Sequence, residues 1–290
     1  MTDMPAVEIV IDAKALLGEG AIWAARAGLL YWVDIDGELV HIYGPATGKN
    51  RTLKIGQPVG TIVPRARGGA MVALRDGFAA LDLDSGKLTF LADPEKDLKG
   101  NRFNDGKCDP AGRFWAGTLG NNGGALYRMD KDLSVHRMFG DVKCSNGIAW
   151  SIDRKTMYYI DTPTNYVEAW DYDDATGAIT NRRVCVRIPK GNGSPDGCTL
   201  DADGNLWVAH WGGWNVTCYD PRTGKQLRQI KVPAAKVTSV AFGGPNLDIL
   251  FITTAREELS ASELKEQPLA GGLFKCKPGV KGIPAPEFGG

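Results

Sequence analysis

Glu19, Asn104, Asn146 and Asp196 are the residues whose types and spacing could do chemistry together. Each stands four positions ahead of the core residue of a short β-prone run: Trp23, Cys108, Trp150 and Leu200, respectively. Side chains along a strand alternate faces with period two, so positions four apart share a face. Two carboxylates and two amide oxygens brought together would be hard ligands suited to Ca²⁺, Mg²⁺ or Mn²⁺, with Zn²⁺ reachable through carboxylate coordination. The matching places in two further runs hold Gly60 and Thr238, and none of the six is His or Cys. A plainer reading stays open, because Asn146-Gly147 and Asp196-Gly197 are also common turn dipeptides.

Those residues can meet only if the chain repeats. Apolar runs begin near Leu30, Ala70, Phe114, Met157, Leu206 and Ile249, at intervals of 40 to 49 residues. Most are followed by a second alternating run, then a turn such as Asp84-Ser85-Gly86 or Ala175-Thr176-Gly177, then another strand. With the short run before each unit this makes four strands per repeat and no helical period between, the pattern of propeller blades. The expectation is an all-β, six-bladed β-propeller of four-stranded blades, with residues 1–290 as a single domain. The sixth unit lacks a convincing fourth strand, while Val7 to Asp12 stands as an orphan strand ahead of the first. An N-terminal strand completing the last blade would close the ring and leave no open edge. Only Glu257 to Leu269 looks helical, in a loop of the last blade.

Equivalent positions in a ring of blades lie at one height about the axis, so the oxygen donors should converge at one mouth of the channel. The second-to-third-strand connections Thr118–Asn122, Asp161–Asn165 and His210–Trp214 should reach the same end. Such a mouth suits a small polyhydroxylated ligand better than an apolar one. Asp109, Asp153 and Asp201 are read as turn residues, Trp23, Trp115 and Trp150 as packing residues, and His210 is left with either a structural or a functional role.

Lys and Arg total 34, as do Asp and Glu, so zero net charge gives no reason to expect nucleic acid or an anionic membrane as partner. The 37 glycines point to many turns. No stretch is long and apolar enough for a spanning helix, and no basic segment followed by an apolar run opens the sequence, so the expected location is cytoplasmic. Six scattered cysteines without a C-x-x-C pair read as free thiols.

Five segments, taken in order, resemble the regucalcin/gluconolactonase family, also called the senescence-marker-protein lactonases. They are L-G-E-G-A-I-W (Leu17 to Trp23), N-R-F-N-D-G-K-C-D-P-A-G-R-F-W-A-G-T (Asn101 to Thr118), S-N-G-I-A-W-S (Ser145 to Ser151), S-P-D-G (Ser194 to Gly197) and G-V-K-G-I (Gly279 to Ile283). The likeness runs from about Glu19 to Ile283. It implies a six-bladed propeller with one divalent cation, Ca²⁺ first and Zn²⁺, Mn²⁺ or Mg²⁺ as alternatives, and hydrolysis of sugar-acid lactones. Carried over by motif, Glu19, Asn146 and Asp196 correspond to the metal ligands, and Arg102 and Asn104 to residues that hold the substrate. Asn122 stands where animal members carry a Glu that contacts substrate hydroxyls. An amide there replaces an acceptor-only carboxylate, so a substrate contact with a different preference is expected.

The reaction so implied is opening of an aldonolactone ring by direct water attack, with Asp196 both ligand and catalytic general base, or with water activated on the metal as the base. No G-x-S-x-G elbow or evident Ser-His-Asp set supports an acyl-enzyme. Two other classes compete: a non-enzymatic Ca²⁺-binding or regulatory protein, and a propeller hydrolase of phosphotriesters or aromatic lactones, which would need an apolar mouth.

Overall fold

The computed structural model describes residues 6–290. The chain starts with β1 (Glu8–Ile11) and then lays down antiparallel units in sequence order. The first comprises β2 (Gly18–Ala24), β3 (Leu29–Asp34), β4 (Leu39–Gly44) and β5 (Lys49–Lys54); the second, β6 (Val59–Pro64), β7 (Ala70–Leu74), β8 (Gly77–Leu81) and β9 (Leu88–Ala92). A six-stranded sheet follows, with β10 (Arg102–Cys108), β11 (Phe114–Met129), β12 (Val135–Trp150), β13 (Thr156–Asp161), β14 (Tyr166–Tyr172) and β15 (Ile179–Arg187). Next come β16 (Ser194–Leu200), β17 (Leu206–Trp211), β18 (Asn215–Asp220) and β19 (Lys225–Lys231). The last sheet holds β20 (Lys236–Gly243), β21 (Ile249–Ala255), β22 (Leu273–Cys276) and, on its outer edge, β1.

This is an all-β propeller of four-stranded blades, but the hydrogen-bonded sheets number five among the described residues where six separate ones were expected. The physical reason lies in β12. It pairs with β11 as far as Leu119↔Cys144 and then, without a break, with β13 from Ser145↔Asp161 onward. That continuity fuses the third and fourth repeat units into one sheet. The N-terminal strand does complete the last sheet, with Glu8 opposite Lys275 and Ile9 opposite Phe274. The helix is shorter than Glu257–Leu269: α1 covers Ala261–Glu266, started by a capping box between Ser260 and Glu263.

Burial falls from axis to rim. Every residue of β2, β6 and β20 is buried, because neighbouring units cover both faces, whereas β5 and β19 are largely exposed. The innermost strands β2, β6, β10, β12, β16 and β20 pack on one another in that order, and β20 returns to β2. Asp109 and Asp201 do more than turn the chain. Each is buried and accepts the indole N–H six residues on, from Trp115 and Trp207, both at 2.9 Å. The packing role expected of the tryptophans holds: Trp23 stacks on Phe251, and Trp115 meets Trp150 edge-on. All six cysteines are free, and burial pushes the Cys198, Cys218 and Cys276 thiols up to about 12. No helix among the described residues is long and apolar enough to cross a membrane.

Candidate functional site

Every innermost strand slips register at the same level. The slips fall between Glu19 and Ile22, Val59 and Thr61, Phe103 and Gly106, Ser145 and Ile148, Pro195 and Cys198, and Val237 and Ser239. Asn104, Asn146 and Asp196 are therefore bulge residues, and Glu19 immediately precedes a bulge. A bulge releases residues from the ladder and re-aims their side chains, which is how a buried strand can present polar groups to the axis. Glycine makes the close approach possible. A Cβ on Gly147 would lie 2.7 Å from the Asp196 carbonyl oxygen, and one on Gly197 would lie 2.8 Å from that of Thr238.

Carboxylates clamp the backbone entering these bulges. Asp34, at the end of β3, accepts from the N–H groups of Leu16 (3.0 Å) and Leu17 (2.9 Å), just ahead of Glu19. Asp161, at the end of β13, accepts from Lys143 (3.1 Å) and Cys144 (2.8 Å), just ahead of Asn146. His210 holds the corresponding place in β17. Burial takes its pKa down to about 4, so the ring is neutral, and its buried Nδ1 has no hydrogen-bond partner among the described residues.

A chain of hydrogen bonds joins three of the inner strands. Arg102 Nη1 donates to Asn104 Oδ1 (2.7 Å), and Asn104 Nδ2 donates to Asn146 Oδ1 (3.2 Å) and to the Ser145 carbonyl (2.7 Å). Asn146 Nδ2 donates to Thr162 Oγ1 (2.8 Å), which in turn donates to the carbonyl of Pro195 (2.9 Å), next to Asp196. Glu19 receives the Gly20 N–H at 2.9 Å.

Burial pushes the Glu19 carboxyl up to about 8, with the Asp105 charge adding to the effect. Burial first, then Glu19 and Asp105, hold Asp196 well above the usual carboxylate range. Asp105 is a third buried acid that the strand register did not single out. It too is raised by burial, with Lys107 opposing. Asp196 Oδ1 and Asp105 Oδ2 have no hydrogen-bond partner among the described residues.

This donor set fits a hard divalent cation. Buried carboxylates whose pKa values are raised and which leave an oxygen unpartnered are stabilised when a cation replaces the proton. No group of three His, Cys, Asp or Glu is arranged to hold a metal among the described residues, so an ion here would rest on Glu19, Asp196 and the Asn146 amide oxygen. The structure thus brings Glu19, Arg102, Asn104, Asn146 and Asp196 together. Asn122 is not part of the set: it is exposed in the turn of β11, donating to the Lys99 carbonyl at 3.0 Å.

Residues 17–256 match the family described as SMP-30/Gluconolactonase/LRE-like region. Regucalcin of Xenopus laevis is 40% identical over 294 residues, covering 98% of each chain. A Bacillus subtilis (strain 168) protein provisionally named sugar lactone lactonase YvrE is 40% identical over 283 residues, 96% of this chain and 97% of its own. The crystal structure of a calcium-binding protein, regucalcin, from Agrobacterium tumefaciens str. C58 superposes with a TM-score of 0.93 at 31% identity, covering 98% and 97% of the two chains. The chain belongs to the SMP-30/gluconolactonase/LRE-like family.

Proposed function

We propose that the protein is a divalent-metal-dependent lactonase that opens the ring ester of a sugar-acid lactone by direct water attack. The observation that carries this reading is the buried Glu19–Asp196 pair with the unpartnered Asp196 Oδ1, flanked by the Asn146 amide. Glu19, Asn146 and Asp196 would hold the cation, with Ca²⁺ best matched to carboxylate and amide oxygens. When bound, it supplies Lewis acidity to the lactone carbonyl, a contribution of several kcal/mol. Asp196 removes a proton from water as the water oxygen bonds to the carbonyl carbon. The ring C–O bond then breaks, and the proton held by Asp196 passes to the departing ring oxygen, leaving the open hydroxy acid. Arg102 and Asn104, already tied to each other at 2.7 Å, orient the substrate. Asn122, on an exposed turn, would touch only the far end of a longer substrate.

Around the axis, we read the six-stranded sheet as two four-stranded blades, the first made of β10, the two arms of β11 on either side of Asn121-Asn122 and the early part of β12, the second of the later part of β12 with β13, β14 and β15, which gives six blades in one domain. A second reading is favoured by the Agrobacterium relative, described as calcium-binding: the same ligands would bind Ca²⁺ without turnover. Proton release on a panel of aldonolactones separates the two. The protein is first stripped with EDTA, then restored with Ca²⁺, Mn²⁺, Mg²⁺ or Zn²⁺ in turn. Hydrolysis above the spontaneous rate with any cation supports the lactonase. Cation binding with no turnover on any lactone supports the second reading.

A further inference from the structure

A cavity of about 430 Å³ lies at the other end of the innermost strands. Its walls include Trp23, Cys108, Trp150, Leu200 and Phe242. These are the residues four places beyond Glu19, Asn104, Asn146, Asp196 and Thr238, roughly 13 Å farther along at about 3.3 Å per residue. The register that gathers oxygen donors at one mouth therefore gathers aromatic and apolar side chains at the opposite one.

The chain itself closes that end. Gly282 is held by the Leu247 carbonyl and bridges to Asp201, while Phe288, fully buried, pairs with Arg65 and exchanges backbone hydrogen bonds with Pro64 and Ala66. Between these anchors, Ile283, Pro284, Ala285 and Pro286 cross the cavity as a strap and line it. Pro284 and Pro286 have no N–H to pair, so this stretch is held by its ends.

The lining carries charge of one sign only. Lys107 and Arg154 are present and Asp and Glu are not. Arg154 is turned to surface Asp174, whereas the half-buried Lys107 donates to the Cys198 carbonyl and makes no ion pair among the described residues. Its charge opposes the upward shift of the Asp105 carboxyl, on the channel side. Trp150, in the wall, has a buried indole N–H with no acceptor among the described residues, although indole N–H groups usually find one when buried. The volume lies in the range of small-ligand sites, which are mostly apolar with a few placed polar groups.

We propose that this cavity is a second binding site, separate from the lactone mouth, for a small amphipathic monoanion such as a medium-chain or aromatic carboxylate. Its apolar body packs on Trp23, Trp150 and Phe242, and its head group is taken by Lys107. The test uses the Ca²⁺-loaded full chain with 8-anilinonaphthalene-1-sulfonate as fluorescent probe, displaced by octanoate or by octanol. Saturable binding is expected, with octanoate displacing at least about tenfold better than octanol, as a charge-assisted contact implies. Lys107→Met should abolish that preference. Ala285→Phe, which fills the cavity from the strap, should weaken probe binding at least about tenfold while the near-UV circular dichroism stays native. Absence of saturable binding, equal displacement by octanoate and octanol, affinity unchanged in Ala285→Phe, or loss of the probe on adding gluconolactone would each overturn the proposal.

Discussion

Asn104 donates through Nδ2 to Oδ1 of Asn146 at 3.2 Å, joining inner strands 42 residues apart in the sequence. Through Arg102 on one side and Thr162 on the other, this bond links the proposed substrate-holding arm to the proposed cation site. Asn104→Ala removes the donor that orients Asn146 and the acceptor that orients Arg102. Steady-state kinetics should show kcat/KM lower by about 10- to 100-fold, with a smaller loss of cation affinity than in Glu19→Gln. Unchanged kcat/KM would show that the bond does not orient the site.

Asp196→Asn keeps an oxygen for the cation but cannot accept the water proton. We expect kcat to fall by about 10³-fold, within the range of general-base effects, with the fold intact by circular dichroism. Near-normal turnover would remove Asp196 from the role of base.

The acid pair makes cation binding depend on pH with a definite sign. Glu19 rises from 4.5 to about 8 in the folded chain, so the cation-free protein holds a proton that the unfolded chain gives up. Its contribution to stability is full below about pH 4.5 and declines as pH climbs to about 8, so the melting temperature of EDTA-treated protein should fall across that window. A cation needs both carboxylates ionised, so its affinity should rise over the same window and its binding near neutral pH should expel at least about one proton. Titration calorimetry in two buffers of different ionisation enthalpy reads that proton directly. Identical apparent enthalpies in both buffers would contradict protonated acids at this site.

Asp161 touches no proposed substrate or cation, yet it holds the backbone of Lys143 and Cys144 just ahead of Asn146. Asp161→Ala leaves two part-buried N–H groups without their acceptor, at a cost of about 1 kcal/mol in urea unfolding. Cation affinity should drop along with stability, and Asp161→Asn should recover part of both. A stability loss with unchanged cation affinity would reduce Asp161 to a purely structural residue.

Gly147→Ala places a methyl group 2.7 Å from the Asp196 carbonyl oxygen and forces two inner strands apart. Overpacking of this kind costs about 1–3 kcal/mol, and here it should also weaken the cation, because the spread falls between two of its ligands. Calcium titration of the variant checks this, and wild-type affinity would contradict it.

The repeat, the strand at Glu8–Ile11 and the convergence of Glu19, Asn104, Asn146 and Asp196 were legible because strand period and repeat length together fix the level of a side chain in a ring. Sheet boundaries were less so. Nothing in the residues of Val135–Trp150 announces that hydrogen bonding continues from one repeat into the next. Asp105 escaped because a bulge turns two successive residues off the alternating pattern, and period-two counting follows only one. Asp34 and Asp161 look like ordinary polar strand ends, and Asp109 and Asp201 like turn residues, until the backbone or indole N–H groups they accept are seen. The signal that could have found the clamps is positional: Asp34 and Asp161 occupy the fifth place of LYWVD and MYYID.

Whether Glu19, Asn146 and Asp196 share one ion is tested most directly by diffraction from crystals grown with Mn²⁺, using its anomalous signal. A single peak bonded to a carboxylate oxygen of Glu19, to Asn146 Oδ1 and to Asp196 is the result expected. A map without a peak there, or with the ion held elsewhere, would contradict the account.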